Sequence, residues 1–522
     1  MTAPAEAAPA ETVVIEFPAE SPVLAGWRRF TAWAVPRRAS LIALGVPLVL
    51  VTVAMAWNLM GWPGRVDEDE GTYVAEAWAM ISPHHLANYT YWYDHPPLGW
   101  ALLAGYLWLT DGLARYPTAV LAGREFMLLL TMVSCVLLFV LCRRLEFRRG
   151  SAAITVLLFG LSPLSVYFHR MVSLDNIAQM WLLAAMVIAT SRRRDLGAAF
   201  WSGVCSAIAV LSKETTALLL VVVFWMLWQQ AQPHTRKWHL GIYLTTLSLF
   251  AAFYPLYALL RGELFPGSGH VSLTWALWWQ LFGRAGSGFV LTNGTTAHGL
   301  LTLWLGTDRW LLLGGLALIP TGLLIRRLRP AAFGLLIQGA MLLHGGYLPF
   351  FYVTAMLPFA ALLLGGVVDT LWEPTAWRWV EYACRLLVIA AGVVALVVVA
   401  PQWGSALVNQ ASVDGETTSL TATTWVERHV PRNAVVVVDD YYWLDLKLAG
   451  LNPLWMQKTS SNAESQGELP DGWRSIDYVV ETSQIVGTLT QLPILQQAIN
   501  HSVPVASFGS GDDAIVIRKV TG

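Results

Sequence analysis

The stretch LGWALLAGYLWLT, residues 98–110, is the one on which the topology turns. Counted as a membrane span it is short, since a ~30 Å hydrocarbon core calls for about 20 apolar residues, and it would carry Arg143, Arg144, Arg148 and Arg149 to the outer side. Basic residues of short loops gather on the cytoplasmic side, so that placing is rejected. Read instead as a juxtamembrane helix lying on the outer face, the same stretch makes every basic cluster cytoplasmic: Arg28/Arg29/Arg37/Arg38, the CRRLEFRRG loop (142–150), Arg192 to Arg194, Arg236/Lys237, Arg326/Arg327/Arg329 and Arg378/Arg385.

Outward from this segment, apolar runs fall at about 39–60, 117–141, 151–168, 173–190, 196–211 and 214–229, then at about 238–259, 308–325, 331–348, 352–371 and 383–400. With the N-terminus inside, about eleven spans leave three parts outside: loop 61–116, loop 260–307 and everything after residue 400. The expected fold is a polytopic α-helical membrane protein with a small C-terminal extracytoplasmic α/β domain. Residues 1–38 read as a disordered, basic-ended cytoplasmic N-terminus, 39–400 as the transmembrane domain and 401–522 as the external domain.

Composition agrees. The 522 residues are 56% hydrophobic and only 13% charged, about half the ~25% charge of soluble domains, with a mean hydropathy of +0.52. A water-soluble globule of this size is excluded. The formal net charge of -1 provides no field for nucleic acid, so no nucleic-acid partner is expected. Cys135, Cys142, Cys205 and Cys384 all lie in or beside apolar runs without C-x-x-C spacing, as packing residues do. The tail after residue 400 holds 13 acidic and 7 basic residues. In it TATTWVERHV reads as an amphipathic helix, and NAVVVVDD, SIDYVVET and AIVIRKV read as strands.

The first external loop carries the chemistry. GRVDEDEGTYVAEAWAM (64–80) sets Asp67, Glu68, Asp69 and Glu70 just past the first span, ahead of a helix expected over 72–82. These carboxylates serve a solvated loop or cap that helix through its dipole. Alternatively, one of them is a general base, its pKa raised by like charges and the low-dielectric boundary, or holds a divalent metal. Further on, HHLANYTYWYDHPPLGW (84–100) has Asp94 and His95 before a Pro-Pro that starts the juxtamembrane helix. Its rings, Tyr89, Tyr91, Trp92 and Tyr93, suit either an interfacial belt or stacking on a sugar.

Asp69, Glu70 and Tyr73, followed by Asp94-His95-Pro96-Pro97-Leu98, resemble the membrane-integral GT-C glycosyltransferases, in particular the protein O-mannosyltransferase and aminoarabinose transferase branch. The likeness runs over roughly 40–370, where HRMVSLDNIAQMW (169–181) is similar to the family's external Asp at the start of a span and LSKETTALLL (211–220) to its Lys-bearing segment. What the resemblance implies is a GT-C fold, a first-loop Asp as catalytic base and a polyprenyl-phosphate-linked sugar as donor, with a glycan, lipid or protein acceptor. The register with Tyr73 favours Asp69 over Asp67.

In the residues themselves, Asp175 starts a helix at a span mouth, where it either caps or acts. Lys213 and Glu214 lie between two apolar runs, pairing with each other or facing the site, with snorkelling the plain reading of the lysine. A departing lipid phosphate needs preorganised cations. The external candidates are His169, Arg170, Lys213, Arg261, Arg284 and Arg309, led by Arg170 and Lys213, and Tyr347 in HGGYLPFFY (344–352) would line the same cavity. A divalent Mg or Mn, if used, would sit on Asp69, Asp94 or Asp175. A polar-lipid transporter or flippase and a non-catalytic glycan-binding membrane protein are the rival readings, the first disfavoured by the lack of two related halves.

Overall fold

The computed structural model describes residues 38–65, 69–82, 93–192, 195–267, 271–460 and 468–521. The N-terminal tail expected to be disordered, Asp67, and the rings of Tyr89, Tyr91 and Trp92 lie outside the described residues.

Each of the eleven apolar runs is helical over most of its length. The first nine helices used below are α1 (Arg38–Ala56), α2 (Asp69–Ile81), α3 (Leu98–Thr110), α4 (Ala119–Arg144), α5 (Arg149–Leu161), α6 (Pro163–Arg170), α7 (Leu174–Ala189), α8 (Leu196–Ser212) and α9 (Leu220–Gln230). A 3-10 turn, Glu214–Leu219, joins α8 to α9. There follow α10 (Arg236–Ala251), α11 (Phe253–Leu260), α12 (Leu273–Trp278), α13 (Thr296–Ala317), α14 (Ile319–Leu324), α15 (Arg329–Leu342), α16 (Leu357–Leu371), α17 (Arg378–Val394) and α18 (Ala400–Ala411). Among the described residues five helical stretches are long and apolar enough to cross a membrane: Arg38–Ala56, Ala119–Arg144, Arg236–Leu260, Phe350–Leu371 and Arg378–Ala411. A sixth arises if α5 and α6, bent by 61° where Pro163 interrupts the hydrogen-bond ladder, make one span. The stretches 98–110, 174–189, 196–212 and 214–230 are apolar but shorter.

Two boundaries differ from the expectation. The long final helix runs on through α17 and α18 to Ala411, past residue 400. The run expected at 308–325 begins as a helix at Thr296, and Asp308 lies within it with non-helical torsions (φ -156°, ψ 103°). There Asp308 is buried and accepts from Ser162 Oγ (2.5 Å), Trp403 Nε1 (3.1 Å) and the backbone N–H of Trp310 (2.8 Å). This carboxylate, the first residue of the expected run, is a rivet joining α6, α13 and α18.

Beyond Ala411 the chain forms α19 (Thr417–His429), β1 (Val435–Val438), α20 (Asp440–Leu448), β2 (Asn452–Trp455), β3 (Tyr478–Glu481), β4 (Ser502–Phe508) and β5 (Ile515–Val520). The strand order is β2-β1-β3-β5-β4, with β1 parallel to both neighbours and β5 antiparallel to β3 and β4. Its core is continuous with the membrane part: Tyr73, Val74, Trp100 and Leu103 share one buried cluster with Val436, Tyr441, Leu444 and Ile515.

The contact between the two parts centres on α2. A Cβ at Gly71 would lie 2.2 Å from the Asp440 carbonyl oxygen, so only glycine allows this helix to reach the backbone of α20. Thr72 Oγ1 donates to Asp440 Oδ1 (2.7 Å), Trp78 meets Trp443 edge to face, and Asp445 Oδ1 accepts from the Ala119 N–H at the start of α4 (2.8 Å).

Candidate active site

Asp69 and Glu70 open α2, where the helix dipole favours negative charge, yet their surroundings differ. Glu70 is fully buried and holds Arg124 of α4 bidentately (Nε–Oε1 2.9 Å, Nη2–Oε2 2.6 Å) while also accepting from the Val172 N–H (2.8 Å). The same guanidinium donates to the carbonyls of Leu59 (3.2 Å), Met60 (3.3 Å) and Gly64 (2.6 Å). Glu70, grouped with Asp69 as catalytic on sequence grounds, thus ties α2 to α4 and to the segment after α1, and it presents no open face to a substrate. Asp69 is only partly buried, and Tyr73, one turn on, donates its hydroxyl to Asp69 Oδ2 at 2.9 Å. Burial, then the Asp69 charge, push the Tyr73 phenol well above its usual pKa, so it stays a donor.

A cluster drawn from three further segments stands beside this pair. The His95 ring meets Tyr73 edge to face at 6.1 Å. His95 Nδ1 is 3.1 Å from Glu214 Oε2, its Nε2 is 3.0 Å from Lys213 Nζ, and Lys213 Nζ is 3.9 Å from Asp175 Oδ2. Lys213 and Glu214 therefore do not simply pair with each other; both turn to His95. Burial works against the Lys213 charge, but Asp175, Glu214, Asp69 and Asp94 outweigh it and raise its pKa. For His95, burial and the Lys213 charge oppose protonation while Glu214 and Asp94 favour it and raise its pKa on balance, but the direct contact with Lys213 decides where the proton sits. Only one proton fits between Nζ and Nε2 at 3.0 Å, and the stronger base keeps it. His95 is then the neutral Nδ1–H tautomer, donating to Glu214 and accepting from Lys213.

Loop 260–307 closes over the same corner. Gln280 Nε2 donates to Asp94 Oδ1 (2.7 Å) and to the Asp94 carbonyl (3.1 Å), Arg284 donates to Gln280 Oε1 (2.9 Å), and the Arg284 guanidinium lies 3.9 Å from the Tyr347 ring centroid. Tyr93 donates to Glu263 (2.6 Å) and Tyr254 to the His95 carbonyl (3.2 Å). A narrow pocket beside Asp175 is lined by Gln179, Thr216, Gln338 and Tyr352.

The other expected cations are engaged by other partners. His169 is buried against Gln179 and Ser165, Arg261 pairs with Glu263, and Arg309 stands over Trp310. Arg170, one of the two leading candidates, is drawn to Asn58 and Trp62. Among the described residues no group of three or more His, Cys, Asp or Glu is gathered as metal ligands. Sequence reasoning missed Arg124, Glu263, Gln280 and Tyr254. Arg124 carried a signal, an ionisable residue within the apolar run AVLAGREFMLLL.

With this geometry in place, comparison with known proteins is direct. Residues 94–257 match the family model described as dolichyl-phosphate-mannose-protein mannosyltransferase. Among solved structures the chain is similar to ArnT from Cupriavidus metallidurans bound to undecaprenyl phosphate (TM-score 0.57, 13% identity, 94% of this chain and 98% of that one). It is also similar to the Archaeoglobus fulgidus oligosaccharyltransferase tethered to an acceptor peptide (TM-score 0.54, 14% identity, 93% and 76%). A third is AglB from Archaeoglobus fulgidus in complex with an inhibitory peptide and a dolichol-phosphate (TM-score 0.51, 13% identity, 92% and 76%). No curated protein sequence is significantly similar to the chain.

Proposed function

We propose that the chain belongs with the GT-C membrane glycosyltransferases that its sequence resembles, a reading supported by the family match over residues 94–257 and by the fold shared with the solved structures. On that premise, we propose that the chain transfers a monosaccharide from a polyprenyl-phosphate sugar to an acceptor hydroxyl on the extracytoplasmic face, with inversion. The carrying observation is the convergence of Asp69, Tyr73, His95, Lys213 and Asp175, from four separate segments, on one corner beside α2. In this reading the eleven apolar helices cross the bilayer with the N-terminus cytoplasmic, and the β-sheet domain is extracytoplasmic, covering the site. The donors named for the matched family and the lipid phosphates named for two of the similar structures support the donor class.

The chemistry follows from charge. Asp69 takes the proton of the acceptor hydroxyl, and the oxygen forms a bond to the anomeric carbon as the bond to phosphate breaks. The electron pair leaves with the polyprenyl phosphate. Lys213, kept charged by Asp175 and its neighbours, faces the negative charge that grows on that phosphate. His95 and Asp175 hold the ammonium in place, and Tyr73 orients Asp69. Asp94, held by Gln280, and Tyr347, held under Arg284, line the wall that loop 260–307 braces.

Asp69→Asn in purified protein, reconstituted with a labelled polyprenyl-phosphate sugar and acceptor hydroxyls of the three classes, is expected to abolish transfer with donor binding retained. Normal turnover by that variant removes Asp69 from the base role and moves the test to Asp67.

A further inference from the structure

Away from the cluster around Asp69, the buried cation Arg170 has no counter-ion of its own among the described residues. Arg170 ends α6 at 1% exposure. Its Nη2 donates to the Asn58 carbonyl (2.5 Å) and its guanidinium lies 5.1 Å from the Trp62 ring centroid, but its Nε has no partner among the described residues. Glu70, the nearby carboxylate that acts on it, is already held bidentately by Arg124. A charge removed from water without an anion is costly, and a guanidinium so placed is matched to phosphate or carboxylate.

Arg170 lines a groove of about 490 Å3 between α1, α6 and α18. The walls are apolar, with Val53 from α1, Trp57 just past its end, Val166 from α6 and Leu407 from α18. Trp57 is 63% and Val53 55% exposed, so the groove opens sideways, toward lipid in a membrane-embedded chain. Gln410 also lines it, and its Oε1 is buried with no donor among the described residues. The groove thus combines a stranded donor on a cation, a stranded acceptor and an apolar trough.

We infer that this groove holds an anionic diacyl phospholipid of the surrounding bilayer whose headgroup also carries a hydroxyl. A phosphate oxygen accepts from Arg170 Nε, a headgroup hydroxyl donates to Gln410 Oε1, and an acyl chain lies along Val53 and Leu407. Such a lipid joins α1 to α18. The site shares no residue with the cluster around Asp69 and does not depend on the glycosyl-transfer reading.

The test is retention of defined lipids by the purified full chain, read by native mass spectrometry after exchange with phosphatidylglycerol, phosphatidylcholine or a polyprenyl phosphate. Phosphatidylglycerol is expected to be held roughly tenfold more tightly than phosphatidylcholine, because both offer Arg170 a phosphate but choline sets a second cation beside the guanidinium and cancels the lipid's net charge. Arg170→Gln should erase that preference and Asp69→Asn should keep it, while Leu407→Trp, which fills the trough without touching charge, should weaken retention should Arg170→Gln not fold. Equal retention of the two phospholipids by the unaltered protein, or a preference that survives both groove variants, overturns the inference. Tighter retention of polyprenyl phosphate than of phosphatidylglycerol overturns the assignment to a bilayer phospholipid.

Discussion

Replacing Glu70 by Gln separates a chemical role from an architectural one. The carboxamide keeps an oxygen for the Val172 N–H, but it places an NH2 group where Arg124 Nη2 now approaches Oε2 at 2.6 Å, donor against donor. Removing one partner of a buried pair costs about 3–5 kcal/mol because the remaining charge is uncompensated. Arg124 still donates to the carbonyls of Leu59, Met60 and Gly64, which sets the loss near the lower end, about 3 kcal/mol. The measurement is equilibrium unfolding of the purified protein in detergent, paired with single-turnover transfer at a temperature where the variant remains folded. Glu70→Gln should unfold at markedly lower denaturant while its folded fraction keeps turnover within about tenfold. The double replacement Glu70→Leu with Arg124→Met, which removes both charges, should recover most of the lost stability. A Glu70→Gln protein as stable as the parent but slower by a thousandfold would refute the architectural assignment and return Glu70 to the chemistry.

Other outcomes follow from the same contacts. Gly71→Ala drives a Cβ to 2.2 Å from the Asp440 carbonyl and should loosen the sheet domain from α2 at a cost of about 1–3 kcal/mol, read as faster proteolysis after Ala411. Asp445 is pushed up to about 7 by burial. Since its folded pKa lies above the unfolded value, the folded state binds the extra proton between about pH 4 and 7, and stability from this group falls as pH rises through that window and stays low above it. Asp445→Asn, which still accepts from the Ala119 N–H, should flatten this part of the pH–stability curve; an unchanged slope would show that Asp445 is not its source. Lys213→Gln should lower the rate of transfer by about 100-fold or more with donor affinity changed far less, as for a group acting on charge that develops in the transition state; a matched change in both would make it a binding residue.

How much of this was legible in the sequence depends on range. Helix α3 was readable because an apolar run bounded by Pro-Pro and Asp111 has few other fates, and β1, β3 and β5 because their β-branched runs are continuous. Strands β2 and β4 were not, since NPLW and SVPVASF each contain a proline; both lie at the edges of the sheet, where a missing N–H is tolerated. In the site, Asp69 and Tyr73 are one helical turn apart and so visible locally. The Lys213–His95 contact spans 118 positions, and nothing in local periodicity foretells it. Glu70 misled because adjacent carboxylates look alike as letters, although one faces the chain's interior and the other its opening.

The rivet at Asp308 bears on the order of assembly. An aspartate at membrane depth costs about 2.5–3.5 kcal/mol to insert when its surroundings are apolar. During synthesis Ser162 is already present when α13 emerges, but Trp403 comes 95 residues later. Until α18 arrives, that carboxylate waits with part of its shell unfilled. Helix α18, part of a stretch among the least enclosed in the molecule, thus completes the shell of a carboxylate buried within α13.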